Sequence, residues 1–520
     1  MASHVASRVR KIASPSYYIS DCTSLELSPT TLNLRTAENW VIRDELTEIY
    51  RKEVQKHLVP STLSYGQGLG GDPELLKVTA DLFNTYFNPA DPLVPDDIVF
   101  TTGASLCLDA LMFSLCDQGD EVLITAPYWN GFDTHLVMRT GVKLLPIHAP
   151  SADIGITAPE DLLKGSLVPS LQQAYESSSD PSRVKALVMT NPHNPYGRFY
   201  PESVIREAML WCAERDIHYV SDEIYALSQL TPPGEHLRQD SALSQEKHGH
   251  QKIGEEPGEI PFVSALSIKF GDDKAPEISV VWGTSKDFGS SGLRVGVYIH
   301  RPQSSAAASR RVTTAGGVPA SSTSVPTPRE RSPLAISVAN LTTSHLPTLT
   351  TSVLTKGLFL SPSFHDLLIL SRTRLYENYV VLRSYLQEWG VPYVEVQGAP
   401  FVFTRLGCAV KQFRMAEARG IGNRELGVGA RGELYSCSWD DEQYLVQTLL
   451  GERAGVSVAP GRQFHVAQET DSGTSGGNDG DGEPDNKRAG WVRITFAVPR
   501  PTLIEAILRI QTPEAVERIA

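Results

Sequence analysis

Between residues 97 and 300 short apolar runs alternate with stretches of helical spacing, and this alternation restricts the fold more than any other property of the chain. The runs are Asp97–Thr102, Glu121–Thr125, Val184–Thr190, Ile217–Ser221 and the residues before Gly283. Between them lie a helix opened by Gly103, Ala104 and Ser105, with Leu106, Leu108, Leu111, Met112 and Leu115 as apolar positions, and a second over Glu202–Glu214. Strand–helix alternation predicts an α/β fold whose parallel sheet is covered on both faces. In such sheets ligands bind outside the carboxyl ends of the strands. The polar clusters of the sequence fall at those ends: Gly103-Ala104-Ser105, APYW ending in Trp129, NPHNPYG from Asn191, SDEIY from Ser221, and TSKDFGSSGLR from Thr284. They are therefore expected to converge on one crevice.

The flanks are less regular. Thr31–Trp40 opens the ordered part, and Ile42, Leu46, Ile49, Tyr50 and Val54 predict a helix over Val41–Leu58 that Pro60 ends. Gly66, Gly68 and Gly71 satisfy G-x-G-x-x-G, but no buried strand precedes them, so a flexible loop before a helix at Glu74–Phe87 is expected. Residues 301–333 are rich in Ser, Ala, Thr and Pro, and 468–488 in Gly, Asp and Ser; both read as disordered inserts. The second separates VSVAPGRQFHV from GWVRITFA, which otherwise look like consecutive strands. Leu334–Phe359 and Phe364–Trp389 have helical patterns, and strands are expected near Tyr393–Val396 and Phe401–Thr404. The predicted division is an N-terminal arm and helix (1–60), a large domain (61–345) and a small C-terminal domain (346–520).

Several functions are disfavoured. The formal charge of −13 over 520 residues opposes nucleic-acid binding, which needs clustered cations. No run approaches the roughly 20 apolar residues of a membrane span. Six scattered cysteines without a CxxC fit reduced, buried thiols. His248 and His250 form an HxH in a Gly/Glu/Lys-rich stretch without partners, and no metal site is expected. Arg8, Arg10 and Lys11 with no acid before Asp21 meet only part of a mitochondrial targeting pattern, so a cytoplasmic location is expected.

Taken together, NPHNPYG, SDEIY, TSKDFGSSGLRVG and GWVRITFA resemble, in order and separation, the motifs of fold type I pyridoxal-phosphate enzymes. The chain resembles a class I/II aminotransferase, and is most similar to the branch containing 1-aminocyclopropane-1-carboxylate synthases. Ala37-Glu38-Asn39, the SKD-x-G after Thr284 and PGRQFH before GWVR carry that closer resemblance. It covers Thr31–Ile510 apart from the inserts. It implies a mostly parallel seven-stranded sheet with a smaller α+β C-terminal domain, pyridoxal 5′-phosphate as cofactor, an amino-acid substrate, and a homodimer with shared active sites.

The resemblance and the cofactor's chemistry together imply the roles. Lys286 would hold the cofactor as a Schiff base and then act as general base; Asp222 would keep the pyridine nitrogen protonated, because only a carboxylate set against it does so. Asn194 and Tyr225 would hold the ring 3′-oxygen, and Trp129 would stack on the ring. Arg294, eight residues after the lysine, would bind the phosphate with Ser105, Ser285 and the amides of Gly103 and Ala104. Tyr65 resembles the tyrosine that reaches this phosphate from the partner subunit. Arg493 would take the substrate α-carboxylate as a bidentate pair, and Glu38 is the cue for the synthase-like branch. Two positions depart from the pattern: Gly283 stands where a phosphate-binding serine is usual, and Tyr196, where a small residue is usual, is expected to reshape the substrate side.

Transamination is the first reading. The alternatives are a lyase of the same fold, either cyclising S-adenosylmethionine or breaking a C–S bond, and a non-catalytic regulator. The last is disfavoured because about 30 residues ahead of the fold leave no room for a helix-turn-helix module.

Overall fold

The computed structural model describes residues 30–148, 163–233, 261–271, 274–302, 330–342, 346–409, 439–466 and 489–511. The N-terminal targeting features, the HxH at His248 and His250, and nearly all of both inserts lie outside them. A short strand, β1 (Leu32–Asn33), precedes helices α1 (Arg43–His57) and α2 (Pro73–Tyr86). The start of α2 is written in its sequence. Asp72 accepts the amides of Glu74 and Leu75 at 3.0 and 3.1 Å, and Pro73 occupies a position that needs no N–H.

Seven strands, β2 (Ile98–Thr101), β3 (Glu121–Ala126), β4 (Lys143–His148), β5 (Val184–Thr190), β6 (His218–Asp222), β7 (Ile278–Trp282) and β8 (Gly296–Arg301), form one sheet in the order β2-β8-β7-β6-β5-β3-β4. Only β8 runs against the rest, antiparallel to β2 and β7. The inner strands read as unbroken apolar runs because both faces are covered. Val122, Ile124, Ala186, Val188, Val220 and Val281 pack into one apolar layer, while Leu123, Leu187, Met189, Tyr219, Val280 and Trp282 pack into the other. Trp282 is wholly buried and meets Phe83 of α2 edge-on at 5.5 Å.

One strand has no signal in the sequence. β4 is the sheet edge, half-exposed, and its KLLPIH carries a proline, which an interior strand would exclude.

Helices α3 (Ala104–Leu115), α4 (Val168–Glu176), α5 (Glu202–Arg215), α6 (Thr284–Asp287), α7 (Pro333–Leu341), α8 (Phe364–Glu388) and α9 (Arg500–Gln511) follow in chain order. Beyond α8, strands β9 (Phe401–Thr404), β11 (Ala459–Pro460) and β12 (Val492–Thr495) form a second sheet in the order β11-β12-β9, while β10 (Val456–Ser457) pairs in parallel with β1. β11 and β12 are neighbours, Ala459 opposite Arg493, as the flanks of the second insert suggest. The strand expected at Tyr393–Val396 is reduced to a single bridge between Tyr393 and Thr404. Among the described residues no single helix is long and apolar enough to cross a membrane.

Candidate active site

A cavity of about 290 Å³ opens at the carboxyl ends of the parallel strands. Thr190 of β5, Asp222 of β6, Ser285 and Lys286 of α6, Ala104 and Ser105 of α3, and Trp129 after β3 reach it from the large sheet. Arg493 of β12 and the segment Arg35–Ala37 close it from the other side.

The lysine turn is fixed by its surroundings. A Cβ on Gly283 would lie 2.4 Å from the carbonyl oxygen of Val295, so no serine fits there and the departure from the family pattern has a steric cause. Of the two hydroxyls that follow Gly283, Ser285 lines the cavity, whereas Thr284 Oγ1 is buried without a hydrogen-bond partner. Asp287 anchors the turn from behind, accepting Trp282 Nε1 at 2.7 Å, Ser228 Oγ at 2.6 Å and Leu227 N at 3.1 Å. Lys286 Nζ donates to the carbonyl of Ala37 at 2.9 Å. Burial, helped by the Arg493 charge, lowers its pKa to about 8, while Glu38 and Asp222 act in the opposite sense.

Asp222 ends β6 with little to satisfy it: burial raises its pKa to about 7, opposed by the Ile224 amide and the Lys286 charge. Its neighbour Glu223 faces away from the cavity and is held by Ser221, Ser264 and the Ala265 amide. Asn194 accepts Arg493 Nη1 at 2.9 Å, and Arg493 Nη2 donates to the carbonyl of Arg35 at 2.9 Å. Arg493 is buried between the rings of Phe401 and Phe464, 4.7 and 4.9 Å away, and its Nε has no hydrogen-bond partner. Tyr225 lines the same wall, edge-on to Phe401 at 5.3 Å.

At the far end, Gly103 has φ 97° and starts α3, where a Cβ would meet Arg294 Nη2 at 2.3 Å. Only glycine allows that guanidinium so close to a helix N-terminus. Arg294 itself sits in the left-handed region, φ 55°, which costs a non-glycine residue about 1–2 kcal/mol and directs it toward α3.

Two expected residues, Glu38 and Tyr196, are placed otherwise, while Tyr65, expected to reach the partner subunit's phosphate, is 97% exposed and stays out of its own chain's cavity. The Glu38 carboxylate lies outside the lining, bound by Arg43 Nη2 at 2.8 Å and by the Ser291 hydroxyl. Burial pushes its pKa up, but those two partners and the Lys286 charge outweigh burial and hold it below the usual value. Tyr196 does not reshape the cavity; it is buried behind it, stacked on His193 at 4.5 Å. Of the two asparagines of NPHNPYG, only Asn194 lines the cavity. Asn191 is spent on the turn itself, bonding to the Val263 carbonyl and the Tyr200 amide. Conversely, Arg35, Gln463 and Phe464 line the cavity without having been singled out; the only sequence cues were their nearness to Ala37-Glu38-Asn39 and their place in PGRQFH.

The family model for class I and II aminotransferases matches residues 33–510. The chain belongs to the class I and II aminotransferases. A probable aminotransferase of Aspergillus oryzae (aclI) is 31% identical over 484 residues, 92% of this chain and 90% of that protein. Another, from Aspergillus fumigatus (gliI), is 31% identical over 92% of this chain and 88% of its own. A 1-aminocyclopropane-1-carboxylate synthase of Oryza sativa is 30% identical over 52% of this chain and 50% of that protein. A solved aspartate aminotransferase mutant of Thermus thermophilus covers 98% of this chain and 99% of its own with a TM-score of 0.62; at 19% identity that likeness speaks for the fold, fold type I.

Enzymes of this family depend on pyridoxal phosphate, and the residues of this aminotransferase fit it. Asp222 is a buried carboxyl awaiting a cation, since an opposite charge nearby favours the ionised form. Gly103 and Arg294 leave a cationic cradle at a helix start. Lys286 is an amine already shifted toward its free base.

Proposed function

We propose that this aminotransferase acts on an α-amino acid to give the 2-oxo acid, with Lys286 as the residue that holds the cofactor and moves the Cα proton. The observation that supports this best is one cavity shared by a low-pKa lysine, a buried carboxyl and a buried arginine. The bound cofactor supplies an electron sink that makes the substrate's Cα–H acidic. With the cofactor bound, Asp222 would hold the positive charge of the ring nitrogen, Asn194 and Tyr225 would hold the ring oxygen, and Trp129 would lie against the ring. Arg294, Ser105, Ser285 and the amides of Gly103 and Ala104 would hold the phosphate. Arg493 binds the substrate α-carboxylate and excludes water from that end, its own charge confined between two aromatic rings.

Arg35 supports a narrower substrate class. Its Nη2 is buried in the cavity wall without a hydrogen-bond partner, beside an arginine already assigned to the α-carboxylate. A second acidic or carbonyl group on the substrate would satisfy it. Arg35→Ala should then raise KM for such substrates about tenfold or more and leave monocarboxylic amino acids nearly unchanged, since a hydrogen bond to a charged group contributes about 1.5–3 kcal/mol. An equal change for both classes would remove this part of the reading.

A homodimer with shared sites is supported by Tyr65, which is almost fully exposed among Leu58, Val59, Leu63 and Leu69, all exposed as well. The buried free thiols of Cys107 and Cys212 support a reducing, cytoplasmic setting; recovery of the protein in an organelle fraction would oppose it.

The decisive experiment incubates the enzyme with a panel of amino acids, S-adenosylmethionine and cysteine conjugates, identifying products by mass spectrometry. A 2-oxo acid formed in step with the amino form of the cofactor is the expected result. Ammonia with pyruvate, or a cyclised amino acid, would replace transamination by elimination or cyclisation.

A further inference from the structure

We propose that His218, His300 and Glu277 form a binding site for a divalent transition-metal ion, zinc in the first place, at the end of the central sheet opposite the cofactor cavity. The sheet register assembles it. Tyr219 pairs with Ile278 and Ser279 with His300, so His218 and Glu277, one residue earlier on their strands, lie beside each other. Side chains alternate along a strand, which puts positions 218, 277, 279 and 300 on the same face. His218 is the first residue of β6 and Asp222 the last, so the two sites are separated by the length of the strand, roughly 13 Å at about 3.3 Å per residue.

The donor atoms are grouped and mostly unused. His218 Nδ1 lies 3.4 Å and His300 Nε2 3.9 Å from Glu277 Oε2, and one donor atom from each residue falls within 4.8 Å of the others. Both imidazoles are buried, at 6% and 4% exposure, and neither of these nitrogens has a hydrogen-bond partner. Buried nitrogens without partners are uncommon, and here two face the same carboxylate. The opposite ring nitrogens are both occupied: His218 Nε2 meets Ser279 Oγ at 2.7 Å, and His300 Nδ1 meets Ser332 Oγ at 2.6 Å. In the tautomer in which each hydroxyl accepts from an outward N–H, the lone pairs lie on the inward nitrogens, the orientation of a metal-bound histidine.

Size and chemistry favour zinc. Zinc bonds of roughly 2.0–2.2 Å in a tetrahedron set ligand atoms about 3.3–3.6 Å apart. The His218–Glu277 separation already meets this, the His300–Glu277 separation needs a few tenths of an ångström of closure, and the two imidazole nitrogens, within 4.8 Å of each other, close on the ion by rotation of their rings. Glu277 is half-exposed and free to make that movement. Two imidazoles and a carboxylate leave the fourth position to water on its open side. An ion held there would tie β6, β7 and β8 to Ser332 at the start of α7, fixing both flanks of the segment between residues 302 and 330.

The test uses holoenzyme freed of metal by dialysis against a chelator, then titrated with zinc chloride by calorimetry and by thermal denaturation. Wild type should take up one equivalent saturably and gain in Tm. Glu277→Ala and His300→Gln should each weaken that uptake at least about tenfold, with the visible cofactor band and turnover retained. His248→Ala/His250→Ala, which removes the HxH, should bind as wild type does. Should His300→Gln fail to fold, Glu277→Ala decides alone, because its side chain is half-exposed. No saturable uptake by wild type, or uptake untouched by Glu277→Ala, would overturn the proposal.

Discussion

The Lys286 amine has a pKa of about 8, lowered by burial first and by Arg493 second, and raised in part by the carboxylates of Glu38 and Asp222. The free base is the form that attacks a carbonyl, so a depressed pKa brings reactivity to lower pH. Cofactor uptake by apoprotein should therefore accelerate with a midpoint near pH 8, well below the range of an exposed lysine. Glu38 is not in the cavity, yet its charge reaches the lysine. Glu38→Gln removes an anion that stabilises the ammonium form, so the acid limb of that profile should move to lower pH; an unmoved limb would leave Glu38 with a purely structural part. At the other end of the cavity, Arg493→Lys should raise KM for α-carboxylate substrates about ten- to hundredfold, a lost charged hydrogen bond being about 1.5–3 kcal/mol, with the cofactor absorbance kept. The side chains of this site were legible because their chemistry is distinctive: a lysine, an aspartate and two arginines at strand ends. The contacts that hold them were not. The carbonyls of Ala37, Arg35 and Val295 set the positions of Lys286, Arg493 and Gly283, and a backbone oxygen leaves no mark on residue type.

Elements were legible in proportion to their burial. β5 runs over Val184–Thr190 as its apolar pattern predicts, and β9 over Phe401–Thr404, since both are buried along their length. β4 escaped because an edge strand need not be apolar. The expected strand at Tyr393–Val396 makes one bridge: the Val394 amide donates to the Phe403 carbonyl at 2.9 Å, but the Val396 amide donates to the Tyr379 hydroxyl at 3.1 Å and leaves the ladder. Helix ends moved by a residue or two: α1 begins at Arg43, not Val41, and α2 at Pro73, not Glu74. The α2 boundary is set by Asp72, whose carboxylate caps two amides. Asp72→Ala should cost about 1 kcal/mol in chemical denaturation without changing turnover, because α2 packs through Leu75, Leu76, Val78 and Phe83 rather than through the site. The histidine–glutamate cluster was illegible for a related reason. His218, Glu277 and His300 are far apart in sequence, and only strand register brings them to one face.

Over the whole molecule, the two ends of the described chain are sewn together, and that closure builds the cavity. β1 pairs with β10, Leu32 opposite Val456, so the segment Arg35–Ala37 is laid against Arg493 and over Lys286. Within one chain, however, the end of the cavity beside Gly103 remains open: Arg294 is exposed, and Tyr65, expected to serve the partner subunit's cavity, is 97% exposed. A tyrosine so exposed among apolar neighbours is what a residue given to another subunit's site looks like. If Tyr65 serves the partner's cavity while Lys286 serves its own, the two defects fall in the same site of a mixed dimer. Tyr65→Ala and Lys286→Ala, each poorly active alone, should then recover activity on being unfolded and refolded together, because one site per hybrid dimer has both residues intact. With equal amounts and random pairing, recovery should approach about a quarter of the wild-type level, as two-fold symmetric assembly requires. The measurement is turnover of the mixture against each parent treated alone. Activity no higher than the parents' average, with hybrid dimers present by mass, would place Tyr65 outside the shared site.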